Sequence, residues 1–316
     1  MGSILKQNTP VAEVGLFLLL FAVALGVLIK GSDWFVISSE KIGTSLGASP
    51  FIIGLTIVAF GTSLPELATS IFAMLEDEPE IVLGNVVGSN VANIFLVLGL
   101  LALFARDIKL DFDLMESDLP ALVISALLLW FVLSDGDVSL FESFLLLGCL
   151  GVFIISSLYA VRNDPVKKVK AGFRAYVFLV IGGLMVYFGS RYTVFSIIAL
   201  SEALGIGTDV ISLTLVAIGT SLPEIAVSIS AAKKGYAGIA VGNVVGSNIF
   251  NTYIVVGIAS FFGPLNVTGT LSEFSLPVMV AATFILAVSC LSKRITKWEG
   301  ALFLLFYVFF MYRLFT

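Results

Sequence analysis

Ten long apolar stretches follow one another along the chain, at 11–31, 50–75, 81–104, 119–134, 140–161, 175–203, 209–232, 238–262, 275–291 and 298–315. Crossing a hydrocarbon core of about 30 Å takes roughly 20 apolar residues of helix. In lipid a backbone must satisfy its own polar groups, so stretches of this kind cross as helices. Composition agrees: of 316 residues 59% are hydrophobic and 12% charged, with a mean hydropathy of +1.09. Soluble domains carry roughly 25% charged residues, and a soluble enzyme is excluded. The first stretch reads as a retained helix, because no small-residue cleavage site follows it, and it can continue to Leu46 as one long tilted helix.

Basic residues set the orientation, since Lys and Arg gather on the cytoplasmic side. With the N-terminus outside, 12 of the 17 basic residues fall in cytoplasmic loops, among them Arg106, Lys109, Lys233, Lys234, Lys293, Arg294 and Lys297. Loops between spans on the other side hold Glu76, Asp77, Asp135, Asp137 and Asp209 and no Lys or Arg. Both termini are therefore expected outside. The basic segment 162–174 is the only real linker and divides the chain into halves at 1–161 and 175–316.

The halves repeat one another at an offset of 158 residues. Residues 56–70 (TIVAFGTSLPELATS) match 214–228 (TLVAIGTSLPEIAVS) at eleven of fifteen positions. Residues 83–99 (LGNVVGSNVANIFLVLG) match 241–257 (VGNVVGSNIFNTYIVVG) at ten of seventeen. Five spans is an odd number, so the second copy enters the membrane upside down relative to the first. Inverted repeats of this kind characterise secondary transporters with midplane sites. The expected fold is an all-α membrane protein of ten transmembrane helices in two inverted five-helix repeats.

The identities fall on Gly, Pro, Ser, Thr, Asn and Glu, which lipid-facing scaffold does not need. Glu66 and Glu224 lie inside apolar helices, where a carboxylate costs about 2.5 kcal/mol or more and marks an ion path. Pro65 and Pro223 remove backbone donors, so the helices are expected to break or kink, freeing carbonyls around Ala59 to Thr62 and Ala217 to Thr220. Helical spacing aligns Thr62, Glu66 and Ser70 in one stripe and Asn85, Ser89 and Asn93 in another, repeated as Thr220, Glu224, Ser228 and Asn243, Ser247, Asn251. Such stripes also serve as helix–helix glue. Together they offer carboxylate, hydroxyl, amide and carbonyl oxygens, a set for Ca2+ or Na+. The chain has no histidine, which rules out an imidazole base or a histidine-bound metal. Cys149 and Cys290 read as apolar fillers. Asp33 and Arg191, at matching positions, read as interfacial or interhelical ion-pair partners ahead of any transport role.

The paired GTSLPE and GNVVGSN-x-x-N blocks resemble the two α-repeats of the sodium/calcium exchanger family, within the calcium/cation antiporter superfamily, in its prokaryotic form. The resemblance spans almost the whole chain. It implies Glu66 and Glu224 as central carboxylates and Thr62, Ser63, Ser89, Thr220, Ser221 and Ser247 as further ligands. Ala59 and Ala217 would add backbone oxygens, and Asn93 and Asn251 would sit at the midplane. It also implies that the first and sixth helices slide across the others. Some family members carry Asp where this chain has Asn251; the neutral amide here leaves a site charge of −2, argues against potassium co-transport and fits three Na+ for one Ca2+.

The expected activity is electrogenic Na+/Ca2+ antiport by alternating access at a prokaryotic plasma or inner membrane. Ca2+ and Na+ are cargo, the bilayer is the surroundings, and no enzyme activity, cofactor, nucleic acid or obligate protein partner is implied. A Ca2+/H+ antiporter, with the two glutamates carrying H+, is the alternative within the superfamily, although Ser63-Leu64-Pro65 favours sodium over the Asn-Ala pair of that branch. A cation channel built on the same oxygens is the alternative outside it.

Overall fold

The computed structural model describes residues 11–77, 79–105, 107–110, 118–163, 170–203, 221–265, 267 and 269–314. These are almost entirely helical. The helical runs are α1 (Val11–Leu46), α2 (Pro50–Leu75), α3 (Pro79–Phe104), α4 (Asp118–Val132) and α5 (Leu140–Asn163). They continue as α6 (Phe173–Ala203), α7 (Leu222–Lys233), α8 (Ala237–Ala259), α9 (Leu271–Cys290) and α10 (Lys297–Leu314). Eight helices among the described residues are long and apolar enough to cross a membrane. Two runs fall outside that set for visible reasons. Only twelve residues of α7 are described, and α10 carries Lys297, Glu299 and Arg313 at its ends.

Local chemistry sets the helix ends. Gly47 stops α1 with φ of 91°, a left-handed conformation that costs glycine little. Ser49 then caps α2, accepting from Ile52 N–H at 3.4 Å, with Pro50 in the first turn, where its missing N–H is harmless. Ser139 and Glu142 close a reciprocal capping box at α5, and Thr296 and Glu299 do the same at α10.

At 36 residues α1 is a single helix of about 54 Å, longer than the bilayer core of about 30 Å. It packs along α6, its counterpart in the second repeat. The seam is built on glycine: a Cβ at Gly31 would lie 2.5 Å from Met185 Cβ and 3.0 Å from the Val186 nitrogen. At the matching Gly189 it would lie 2.6 Å from the Leu28 nitrogen, and Leu28 and Val186 are themselves 158 apart. The close approach therefore recurs at positions 158 apart on the two helices. Backbone meets backbone there, as small residues permit between membrane helices. Gly189→Val is expected to force α1 and α6 apart at a cost of about 1–3 kcal/mol. A lowered thermal midpoint of the detergent-solubilised protein, with unchanged Ca2+ affinity in what remains folded, checks it.

Of the eight spans α8 and α3 are the most enclosed, and α1, α5 and α6 the least. Leu16, Leu19, Phe141, Phe144, Val152 and Ile155 point outward from α1 and α5, as lipid-facing side chains do. The sequence predicts no strand, yet Asp107–Lys109 (β1) and Arg294–Thr296 (β2) form an antiparallel ribbon with Ile108 opposite Ile295. Three-residue strands in connecting loops carry no periodicity to read. The ribbon joins the connection after α3 to the one after α9. On the opposite end, Asp137 Oδ1 accepts from Leu265 N–H at 3.0 Å and Gly136 O from Val267 N–H at 3.2 Å. These bonds join the connection after α4 to the one after α8.

In the second span, where a break or kink is expected around Ala59 to Thr62, the helix is not broken. Helix α2 runs through, with a wide π turn at Gly54–Val58, closed by Ala59 N–H bonding to Gly54 O. Pro65 lies within the continuing helix and leaves the Gly61 carbonyl without its intrahelical donor. Further π turns begin at Asn93 and at Asn251, again 158 apart. Such turns admit one extra residue and recur at functional sites. The counterpart break at Ala217 to Thr220 lies outside the described residues.

Candidate functional site

Two pairs of helices, α2 with α3 and α7 with α8, carry the repeated motifs. Every described residue of the expected ligand set is buried: Ala59, Thr62, Ser63 and Glu66 on α2, Ser89 and Asn93 on α3, Glu224 on α7, Ser221 just before it, and Ser247 and Asn251 on α8. Thr220 and Ala217 lie outside the described residues. Both glutamates are fully enclosed, 0% exposed, and close enough for their charges to interact. Among the described residues the only other buried charged side chain is Asp118 at the start of α4. No buried Lys or Arg offsets the pair there.

Hydrogen bonds knit the two repeats together around these carboxylates. Thr62 Oγ1 lies 3.0 Å from Asn243 Oδ1, to which it donates, and 3.2 Å from Ser247 Oγ. It also reaches Ala59 O at 3.3 Å and sits beside Glu224. Asn243 Nδ2 donates to Ser228 Oγ at 2.9 Å. Asn93 Nδ2 donates to Asn248 Oδ1 at 3.0 Å, and Asn251 Nδ2 to Asn90 Oδ1 at 3.3 Å.

What stays unpaired defines the chemistry. Buried side-chain atoms without a protein hydrogen bond include both carboxylate oxygens of Glu66 and of Glu224, Asn93 Oδ1, Asn251 Oδ1, Ser63 Oγ and Ser221 Oγ. These make up eight of the twelve such atoms among the described residues, and all eight belong to expected ligands. Folded proteins pair nearly all their buried polar groups, and an uncompensated buried carboxylate costs several kcal/mol. Two buried carboxylates and unpaired neutral oxygens on the same pairs of helices are ligand types that suit a hard cation.

Asp33 does form an interhelical ion pair, but with Lys234 rather than with Arg191. Its Oδ1 lies 2.9 Å from Lys234 Nζ and accepts from Ser230 Oγ at 2.6 Å, tying α1 to the end of α7. Arg191 bonds instead to Tyr187 one turn away on α6, at 3.3 Å. Sequence reasoning passed over Asn90 and Asn248. Their signal was present, as the third letter of the repeated GSN triplet, but they lie off the Asn85–Ser89–Asn93 stripe that helical spacing picks out.

The fold is that of a multi-pass membrane protein, with two buried glutamates enclosed on repeated helix pairs. The profile of the sodium/calcium exchanger protein family matches residues 16–159 and 174–316, and the chain belongs to that family. It is 36% identical to the sodium/calcium exchanger MaX1 of Methanosarcina acetivorans, over 94% of this chain and 98% of that one. It is also 36% identical to the uncharacterized membrane protein MJ0091 of Methanocaldococcus jannaschii, over 91% and 94% respectively. Its fold matches the sodium-calcium exchanger NCX_Mj in a structure soaked with zero Na+ and Ca2+: TM-score 0.82, 34% identity, 96% of this chain and 100% of that one.

Proposed function

We propose that the protein is an antiporter exchanging Na+ for Ca2+ by alternating access, with three Na+ moved for each Ca2+. The observation that carries this is the set of eight unpaired buried atoms on Glu66, Glu224, Asn93, Asn251, Ser63 and Ser221. One Ca2+ neutralises two carboxylates, as do two Na+; a third Na+ on the neutral oxygens leaves one positive charge. Competing occupancy of one site couples the two ions, and the surplus charge makes the cycle electrogenic. Glu66, Glu224, Asn93, Asn251, Thr62, Ser63, Ser89, Ser221, Ser247 and Ala59 hold the ions, with Thr220 and Ala217 completing the set by the repeat.

The chain crosses the cell membrane ten times, as halves 1–161 and 175–316 joined by the cytoplasmic linker 162–174, with both termini outside. The loop pairings support this. The ribbon joins connections separated by six spans, and the Asp137 bond joins connections separated by four. Even separations put partners on one side, and the basic connections, carrying Lys109 and Arg294, share a side as the charge bias requires.

Competition between the ions tests the proposal. Radiolabelled Ca2+ bound to the purified protein is expected to be displaced by Na+ with a Hill coefficient above 1. Displacement by acid alone, with Na+ without effect, would replace sodium by protons as the counter-ion.

A further inference from the structure

We propose that Asn90 and Asn248 are positioning residues that aim the amide oxygens of Asn251 and Asn93 at the bound cation, each acting across the repeat interface. The proposal rests on the exchanger reading above. A carboxamide carries an oxygen at one end and an NH2 at the other. Only the oxygen can ligate Ca2+ or Na+; the NH2 repels it. Something must therefore choose between two orientations of nearly equal shape.

The choice is made by a closed set of bonds between α3 and α8. Asn248 Oδ1 accepts from Asn93 Nδ2 at 3.0 Å, while Asn248 Nδ2 donates to the Asn90 carbonyl at 3.2 Å. The mirror half repeats this. Asn90 Oδ1 accepts from Asn251 Nδ2 at 3.3 Å, and Asn90 Nδ2 donates to the Asn248 carbonyl at 3.4 Å and to Thr252 Oγ1 at 3.2 Å. Asn90 and Asn248 stand 158 apart, as do Asn93 and Asn251, so the pattern maps onto itself under the repeat. Reversing the Asn248 amide would set its NH2 against that of Asn93 and its oxygen against the Asn90 carbonyl. This arrangement gives each of the four amide nitrogens a partner, and it leaves Asn93 Oδ1 and Asn251 Oδ1 buried and without a protein partner. Each half of the protein thus orients a ligand belonging to the other half, as outer hydrogen-bond partners orient the ligands of metal sites elsewhere.

The role has a signature that simple structural support lacks. A carboxylate presents oxygen at both positions and needs no aiming. Asn90→Ala is expected to raise the Ca2+ concentration for half-maximal exchange about tenfold, with the maximal rate less affected. In an Asn251→Asp background the same substitution is expected to raise it by less than about twofold. Asn248→Ala paired with Asn93→Asp gives the mirror experiment. If the Ala variants fail to fold, Asn90→Ser and Asn248→Ser are read the same way. Radiolabelled Ca2+ exchange in proteoliposomes measures all of these. Equal losses in both backgrounds, or no loss in the single variants, would overturn the aiming role. Wild-type vesicles without Na+-dependent Ca2+ uptake would overturn the exchanger reading instead, so the two failures are distinguishable.

Discussion

Glu66→Gln, and equally Glu224→Gln, is expected to abolish exchange while leaving the protein folded. Glutamine keeps the shape and one oxygen but removes half of the site's charge. Removing one partner from a buried, compensated charge pair costs about 3–5 kcal/mol. At about 1.4 kcal/mol per factor of ten, that lowers Ca2+ affinity by more than about 100-fold. Stability moves the other way in ion-free protein. Both glutamates are fully enclosed and neighbouring, so neutralising one relieves like-charge repulsion between them. Thermal midpoints with and without Ca2+ separate the two effects. Wild type is expected to gain by mass action as Ca2+ saturates the site; the Gln variants are expected to start more stable than ion-free wild type and gain nothing. A Gln variant exchanging at the wild-type rate would remove these glutamates from the site.

Asn251→Asp has the second large effect, and it acts on selectivity. The wild-type site at −2 is neutral with one Ca2+ bound. A third carboxylate brings it to −3, so the Ca2+-loaded site holds one uncompensated negative charge in the centre of the protein, where Asn251 is 0% exposed. Burying that charge costs several kcal/mol, and translocation is expected to require a further cation with Ca2+. Exchange by the variant should then rise at least about tenfold on adding K+ or lowering pH, under conditions where the wild type responds to neither. Ca2+ uptake by both proteins across a K+ and a pH series reads this out. A variant as indifferent to K+ and protons as the wild type would mean that position 251 does not face the ions.

Much of this architecture was legible in the sequence because membrane helices announce themselves locally. Pro50 to Leu75 reads as one span and is one helical run, since twenty-odd apolar residues can do little else in lipid. The repeat also singled out Glu66 and Glu224, because carboxylates in apolar helices are expensive. Features that depend on contacts between distant segments were not legible. The π turn at Gly54–Val58 ends seven residues before Pro65, and no residue in it announces the widening. The ribbon of Asp107–Lys109 with Arg294–Thr296 is too short to leave a pattern. Asn90 and Asn248 escaped notice because their bonds run between repeats, and helical spacing groups residues within one helix only.

Exchange itself is the central claim, and one measurement reaches it directly. Protein reconstituted in Na+-loaded vesicles is diluted into Na+-free medium containing Ca2+, with the membrane potential clamped at a series of values. The account predicts Ca2+ uptake that needs internal Na+, and that quickens as the vesicle interior is made more positive, because each inward Ca2+ is met by three outward Na+ and one net positive charge leaves. Ca2+ entry that ignores internal Na+, whether driven by a pH gradient or running freely down its own gradient, would contradict it.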